Sequence, residues 1–193
     1  MNTIDRTRWG LVALLFLCGL CAAMQFIKVS MLLAELSGRY DRRVEVIATL
    51  VSLVSLVGIT LGVVAGNVVA RFGTRPVILW ALLLGALLSL AQSPLPPFWP
   101  MVVLRALEGV SHLAMVVAIP PVMARVATQK DPPMVMSIWA MFFGVAFAVS
   151  AILFPPIMAL GGVPLVFGVH GAGLLMLAAA LWWLLPQSQP EPR

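Results

Sequence analysis

Long apolar stretches separated by short polar breaks make up most of this chain. They cover roughly residues 9–33, 45–69, 76–93, 98–123, 134–158 and 163–185. At a rise of about 1.5 Å per residue, each stretch is long enough as a helix to cross roughly 30 Å of hydrocarbon. None alternates apolar and polar residues as a membrane β-barrel strand would. The pattern predicts an all-α, polytopic membrane protein with a six-helix transmembrane domain over 1–186 and a polar tail over 187–193.

The breaks between the stretches contain residues that are typical of turns and helix ends. In chain order they read ELSGRYDRRVE, RFGTRP, QSPLPP, RVATQKDPP and LGGVP. Glycine, proline and charged residues in such short segments favour tight connections between neighbouring helices. The segments leave no room for a separate soluble domain. The tail PQSQPEPR is proline-rich and polar, which is typical of a linker or terminus without regular structure.

The charge distribution predicts an orientation in the membrane. The chain is 62% hydrophobic and carries a formal net charge of +5. One side of the predicted topology holds seven basic residues: Arg6, Arg8, Arg71, Arg75, Arg125, Lys130 and Arg193. The other side holds three: Arg39, Arg42 and Arg43. Because basic residues accumulate in cytoplasmic loops, we expect both termini in the cytoplasm of a bacterial inner membrane protein. The positive charge indicates anionic lipid headgroups as partners, with no reason to invoke nucleic acid.

The N-terminal segment RTRWGLVALLFLCGLCAA allows a second interpretation, as a cleaved signal peptide. Apolar sequence continues to Leu33, which favours a first transmembrane helix instead. Cys18 and Cys21 lie three residues apart within it and are interpreted as packing residues, with no disulfide or metal site indicated. The sequence shows no glycine-rich phosphate loop or catalytic-triad spacing, so it gives no support for an enzyme or a cofactor.

The stretch GNVVARFGTRPVI places two arginines and two glycines between the second and third apolar stretches. From the residues alone, Gly73 is expected to adopt a positive φ, and the arginines to anchor at anionic headgroups. The stretch resembles the loop between the second and third helices of major facilitator superfamily transporters, and the matching residues are Gly66, Arg71, Gly73 and Arg75. Ala70 stands where that family has an acidic residue that helps to lock one conformation. The resemblance implies a conformational loop.

Two further stretches resemble the same superfamily. RALEGVSHLAMVVAIPPVMAR is similar to its fourth helix, with Arg105 and Gly109 in the arginine–x–x–x–glycine pattern. GVAFAVSAILFPPIMALGG is similar to the fifth helix of the antiporter branch, retaining Gly144, Pro155, Gly161 and Gly162 and departing from the pattern at Ala148 and Phe154. The superfamily has twelve spans in two similar halves, and this chain resembles the first half. The resemblance implies a role for Arg105 in substrate or proton handling.

A row of small residues runs along the second predicted helix. Gly58, Gly62 and Gly66 recur every four residues and Ala70 continues the row, which makes a smooth face that another helix can approach closely. The plain interpretation is ordinary helix packing, and the alternative is a moving contact between halves or subunits. We expect this face to be covered, and therefore a homodimer or a second six-helix half as partner.

Few polar side chains lie deep in the spans. An ionisable group at that depth costs free energy and usually has a function. The candidate substrate-binding residues are Gln25, Lys28, Arg105, Glu108 and His112, at helical spacings of three and four. We expect them to face one another across the first and fourth helices. Two cations against one carboxylate favour a small anion, and Glu108 or His112 could exchange a proton. The plainer alternatives are a mutually neutralised structural cluster and, for His112, a hydrogen-bonded core histidine. His170 is interpreted as interfacial.

The leading hypothesis is a secondary active transporter, or half of one, that moves a small organic solute by alternating access. The surplus positive charge favours an anion, and the titratable groups favour proton coupling. A drug or cation efflux protein of the same superfamily remains an alternative. So does a non-transporting assembly or accessory subunit of this fold, which the alanine at position 70 favours.

Overall fold

The computed structural model describes residues 6–185, and every regular element in that range is a helix. The helices are α1 (Trp9–Met31), α2 (Leu33–Tyr40), α3 (Val44–Phe72), α4 (Thr74–Gln92), α5 (Phe98–Arg125), α6 (Pro132–Ala140) and α7 (Phe142–Leu184). A helix satisfies its own backbone N–H and C=O groups, as a chain in hydrocarbon must. The all-α prediction is confirmed, and the predicted tail over 187–193 lies outside the described residues.

Five helices are long and apolar enough to cross a membrane: α1, α3, α4, α5 and α7. The last of them has 43 residues, or roughly 64 Å of helix, about twice the thickness of the hydrocarbon layer. Its backbone leaves helical geometry at Gly161 and Gly162, and φ at Gly162 is +64°. We call residues 142–160 and 163–184 the first and second segments of α7.

The second segment of α7 returns alongside α4 in the antiparallel direction. At one end, Ser93 Oγ donates a hydrogen bond to the carbonyl oxygen of Pro164 at 2.7 Å. At the other end, Arg75 Nη2 donates to the carbonyl oxygen of Trp182 at 2.8 Å. The two segments therefore supply the last two of the six predicted spans, joined by the predicted glycine break.

The first and fifth predicted spans are each divided into two helices. The backbone at Leu32 (φ −110°, ψ 23°) separates α1 from α2, and Met141 separates α6 from α7. The predicted polar break ELSGRYDRRVE, residues 35–45, is helical in its first part, because α2 continues to Tyr40 and buries Leu36 against the bundle. Amphipathic residues at helical spacing explain this, since one apolar side chain per turn suffices to dock a short helix.

The helix ends collect at two opposite faces of the bundle. One face, the basic end, joins the start of α1 to the end of α5 through a hydrogen bond from Arg8 N to Val126 O at 3.1 Å. It carries Arg6, Arg8, Arg71, Arg75, Arg125 and Lys130. The opposite end carries α2, the α4–α5 loop and the glycine break, and there Tyr40 Oη donates to Pro96 O at 2.9 Å. The predicted segregation of basic residues is thus present in the fold.

Asp131 links the N-terminal segment to the α5–α6 loop at the basic end. Its carboxylate accepts hydrogen bonds from the hydroxyl groups of Thr7 and Thr128, the latter at 2.7 Å. These bonds hold the pKa of the Asp131 carboxyl below its usual range, because they favour the charged form. The start of α1 is therefore tied to the loop that precedes α6.

The α3–α4 connection is a single residue. Gly73 has φ +84°, so the predicted positive φ is confirmed, and a residue with a Cβ would be strained there. Arg75 does not extend toward the headgroups as expected: its Nε donates to Leu185 O at 3.0 Å and so satisfies a carbonyl at the end of α7. Arg71 is exposed, with its guanidinium 5.5 Å from the centre of the Phe72 ring.

The glycine row of α3 is uncovered within this chain. A Cβ added at Gly58, Gly62 or Gly66 would meet no atom of residues 6–185 within 4 Å. On the same helix Ile59 and Val63 are 82% and 81% exposed. Packing of the row against another helix of this half is therefore wrong as an interpretation, and a contact with a partner stays a prediction.

Candidate functional site

A cluster of ionised and polar side chains lies inside the bundle, between α1, α4, α5 and the second segment of α7. Lys28 of α1 is its centre, and its side chain is fully buried. Lys28 Nζ lies 2.5 Å from Glu108 Oε1, 2.9 Å from Ser89 Oγ and 3.3 Å from His170 Nδ1. It also lies 4.6 Å from the centre of the Phe167 ring. All three ammonium protons therefore have an acceptor.

Glu108 connects the two cations. While one oxygen of its carboxylate binds Lys28, the other contacts Arg105 Nη1 and accepts a hydrogen bond from Gln92 Nε2 at 2.8 Å. Glu108 and Arg105 are three residues apart on α5, so one turn of helix presents both to the same place. The carboxylate is fully buried and depends on these partners for its charge.

Arg105 fixes the relative position of three helices. Its Nε donates to the carbonyl oxygen of Leu50 on α3 at 3.1 Å, and its Nη1 donates to the carbonyl oxygen of Gln25 on α1 at 2.8 Å. Nη2 is buried and has no hydrogen-bond partner in the described range. The guanidinium is thus held in place by two backbone carbonyls and one carboxylate, with one donor group left over.

His170 completes the cluster from α7. Its Nε2 lies 2.9 Å from the carbonyl oxygen of Cys21, which can only accept, so we assign the ring proton to Nε2 and the acceptor role to Nδ1. Ser89 Oγ donates to Phe167 O at 2.9 Å and accepts from Lys28. The assignment gives Lys28 two neutral acceptors besides Glu108. The interfacial interpretation of His170 is wrong, since the side chain is only 6% exposed.

Gln25 reaches a second polar site beside the cluster. Its Nε2 donates to Ser111 Oγ at 3.0 Å, and Ser111 donates onward to Ala81 O on α4 at 2.7 Å. Gly85 makes this approach possible, because a Cβ there would lie 2.4 Å from Gln25 Nε2 and 2.6 Å from Ser111 Oγ. The absence of a side chain at one position of α4 admits polar groups from α1 and α5.

The His112 side chain hydrogen-bonds to the backbone of α1 and makes no hydrogen bond with the charged groups. Its Nδ1 lies 2.7 Å from the carbonyl oxygen of Ala22 and donates to it. The hydrogen bond ties α5 to α1 one helical turn from Gln25. Of the five candidates, Lys28 and Arg105 contact Glu108 directly, whereas the side chains of Gln25 and His112 bond to Ser111 and to Ala22 O. The plainer interpretation, a hydrogen-bonded core histidine, describes its position.

The cluster carries a surplus positive charge. With His170 neutral, Lys28 and Arg105 contribute two positive charges and Glu108 one negative charge, which leaves +1. Besides Arg105 Nη2, the buried oxygens Gln25 Oε1 and Gln92 Oε1 have no hydrogen-bond partner among residues 6–185. Burying a polar group without a hydrogen-bond partner costs free energy, and a polar ligand that supplied the missing partner would reduce that cost.

Sequence reasoning found the ion-bearing residues of α1 and α5 and missed the partners from α4 and α7. Ser89, Gln92 and His170 lie near the ends of their spans, where polar residues are common at headgroup level. Only the register between α4 and α7 brings them to the depth of Lys28. A signal did exist: Gly85 and Gly171 allow close approach on the same side, since a Cβ at Gly171 would lie 3.1 Å from Ala86 O.

Apolar helices that surround a buried, ionised cluster define an integral membrane protein of the transporter class. The family model described as Major Facilitator Superfamily matches residues 15–193. The chain belongs to the major facilitator superfamily, whose members are membrane transporters. No curated protein gives a significant match to the sequence.

Proposed function

We propose that this chain is one half of a proton-coupled secondary transporter for a small organic anion, and that the cluster around Lys28, Arg105 and Glu108 is its working site. The proposed setting is a bacterial inner membrane with both termini in the cytoplasm. No enzymatic reaction is assigned to the chain. The proposal rests on one observation: a buried cluster with a surplus positive charge and an unused guanidinium donor.

The unused donor supports an anion as the solute. Arg105 Nη2 is buried without an acceptor, while its other nitrogens are already committed. The N–H groups of Nη2 can donate charge-assisted hydrogen bonds to an anion, whereas the compact ammonium of a lysine would have no donor at the position of Nη2. An anion at Arg105 would both satisfy the donor and neutralise the surplus charge, whereas a cation would increase the charge imbalance.

Glu108 supports coupling to protons. Protonation of its carboxylate would remove the one negative charge of the cluster and leave Lys28 and Arg105 with a formal charge of +2. Anion binding would then be more favourable, and by linkage a bound anion would favour the protonated form. The arrangement therefore suits transport of anion and proton in the same direction.

Two exposed surfaces support a partner. No atom of residues 6–185 packs against the glycine row of α3, and the first segment of α7 exposes Ile152 and Leu160 at 74% and 82%. Small residues at a helix surface allow close packing in a membrane, where van der Waals contact is the main attraction. We propose that a second six-helix half or a second copy of this chain covers these surfaces and completes the pathway.

A second candidate function is a non-transporting subunit in which the cluster is purely structural. The full set of acceptors around Lys28 favours it, as does the complete burial of the three ionised residues. In that case removing Arg105 or Glu108 would reduce stability and no solute would bind.

Ligand-induced stabilisation of the purified chain distinguishes these functions. Thermal unfolding is measured with a panel of organic anions and organic cations, for the native chain and for Arg105→Lys. We expect some anions to raise the unfolding temperature of the native chain and Arg105→Lys to lose most of that response, because a lysine has no donor group at the position of Nη2. The matched control is Arg43→Lys, an exposed arginine at the opposite end.

An equal response of Arg105→Lys and the native chain to every anion would contradict the proposal. Stabilisation by cations alone would favour the efflux alternative. Proton coupling is tested separately, by acidification of proteoliposomes during uptake of a stabilising anion. Anion uptake that is independent of an imposed pH gradient would show that the protein transports without protons.

A further inference from the structure

A groove runs along the outer surface of the bundle between α3, α4 and α5, which we call the α3–α5 groove. Its wider part has a volume of about 390 Å³, and its walls include Val68, Phe72, Trp80, Leu84, Val110 and Ala114. A narrower part of about 120 Å³ shares three of these residues and continues along α3 to Leu61. The two parts form one channel that is open on its side.

The lining of the groove suits hydrocarbon. Ser111 and the indole N–H of Trp80 are the polar side-chain groups among its residues, and the Ser111 hydroxyl already donates to Ala81 O and accepts from Gln25 Nε2. Apart from that indole N–H, a polar solute would find no free hydrogen-bonding group among these lining residues. Trp80 and Phe72 are 71% and 60% exposed, so the groove opens toward the lipid side of the bundle.

The length of the groove matches one leaflet of a bilayer. It extends from Phe72, the last residue of α3 at the basic end, to Leu61. Eleven residues of helix correspond to about 16 Å, which is close to half of the roughly 30 Å hydrocarbon thickness. A chain that enters at headgroup level would reach the middle of the bilayer, as one lipid acyl chain does.

Positive charge lies at the mouth of the groove. Arg71 precedes Phe72, is exposed, and makes no hydrogen bond or ion pair with residues 6–185. Asp131 is the single carboxylate of the basic end within that range, and it is engaged by Thr7 and Thr128. A guanidinium at headgroup level without a protein counter-ion is suited to a phosphate group.

We propose that the α3–α5 groove binds an anionic phospholipid from the leaflet at the basic end, with one acyl chain along Val68, Val110 and Ala114 and the phosphate against Arg71. The apolar lining, the length and the free guanidinium all fit this ligand. The proposal does not depend on the solute that the protein transports, because the groove lies outside the charged cluster.

The test is lipid binding to the purified full chain, measured by native mass spectrometry from detergent. The probes are dioleoyl phosphatidylglycerol, dioleoyl phosphatidylcholine, and glycerol phosphate, which has the headgroup chemistry without acyl chains. Two variants address the two parts of the site: Arg71→Gln removes the charge, and Ala114→Phe fills the groove. Their matched controls are Arg6→Gln at the same end and Ala172→Phe on the exposed side of α7.

We expect phosphatidylglycerol to bind the native chain about fivefold more tightly than phosphatidylcholine, the difference typical of one basic residue near an anionic headgroup. Arg71→Gln should abolish the preference, Ala114→Phe should weaken both lipids, and the controls should bind as the native chain does. Glycerol phosphate should not compete, because most of the affinity comes from the acyl chain.

Native-like binding by both variants would place the lipid elsewhere and overturn the proposal. So would a reduced fraction of dimer in Ala114→Phe with unchanged lipid binding, because the groove would then hold a second copy of the chain. Arg71 is exposed, so Arg71→Gln is expected to unfold at the native temperature and remains decisive if Ala114→Phe does not fold. In that case Trp80→Ala, which removes one wall of the groove, replaces it.

Discussion

In the charged cluster, one cation has all its hydrogen-bond partners and the other does not. Lys28 has a full set of acceptors, whereas Arg105 has one buried donor without a partner. The first arrangement lowers the free energy of a buried charge, and the second leaves an interaction unused. The cluster is therefore held together by its own contacts, and the unused donor is the group to which we propose that an anion binds.

Glu108→Gln tests how far the ions depend on one another. The change removes the one negative charge and leaves Lys28 and Arg105 without compensation, so we expect the free energy of unfolding to fall by about 3–5 kcal/mol. Lys28→Gln combined with Glu108→Gln returns the formal charge of the cluster to the native +1 and should recover most of the loss. Thermal and denaturant unfolding in detergent measure both.

The control for this pair of changes is Glu45→Gln. Glu45 forms an exposed ion pair with Arg43 at 3.2 Å, with both side chains largely in contact with the surroundings. Such pairs contribute less than about 1 kcal/mol. A double variant that is less stable than Glu108→Gln alone would show that the cluster is held by something other than charge balance.

Part of this site could be predicted from single residues, and part could not. Helical spacing within α5 places Arg105 and Glu108 on one face, and polarity within an apolar stretch singles out Lys28. The orientation of His112 could not be predicted, because it depends on which α1 carbonyl lies opposite, and that is a matter of register between helices. The spacing of residues along one helix predicts which of them share a face. Contacts between two helices also depend on how far one helix is shifted along its axis relative to the other.

At the scale of helices, two glycines that look alike in the sequence have different environments. Gly109 lies where α5 contacts α3, and a Cβ there would come within 3.1 Å of Val54 Cα and 3.0 Å of Val57 Cβ. Gly62 lies on the uncovered face of α3. The arginine–x–x–x–glycine pattern of α5 thus has a packing explanation: the arginine anchors α3 and the glycine lets it approach.

Gly109→Ala should therefore separate α3 from α5. Because the contact is with backbone and a β-branched side chain, α3 has to move by a few tenths of an ångström, and we expect a loss of about 1–3 kcal/mol in the free energy of unfolding. Gly62→Ala is the matched control. In a monomer it should be neutral or stabilising by up to about 1 kcal/mol, since alanine is the better helix former. Equal stability of the two variants would contradict the packing explanation.

The hydrophobic pattern predicts that the elements are helices and where most of them begin and end. It does not predict the breaks that lie inside an apolar stretch. The separation of α1 from α2 at Leu32 occurs in apolar sequence without proline or glycine at the break. The apolar pattern continues through it, because both pieces are buried on the same side. The break in α7 coincides with two glycines, which is a signal that sequence analysis can use.

For the whole molecule, the two ends of the bundle differ in charge, and our prediction of its orientation in the membrane rests on that difference. The basic end carries six basic residues and the opposite end carries three within the described part of the chain. Lys130→Cys and Arg42→Cys place a thiol at each end. We expect a membrane-impermeant maleimide, applied to intact cells, to label Arg42→Cys and to label Lys130→Cys only after permeabilisation. The reverse pattern would place the basic end outside.

The connection at Gly161 and Gly162 has a mechanical consequence for the last two spans. Only two residues leave helical geometry there, so the connection between the two segments is short. A hydrogen bond from Ser93 on α4 holds the start of the second segment. The first segment extends about 28 Å from this pivot. A tilt of about 10° would move its far end by roughly 5 Å while the pivot stays in place. That far end is the junction with α6 at Met141, so a rotation at the two glycines would displace α6 while the second segment keeps its place beside α4.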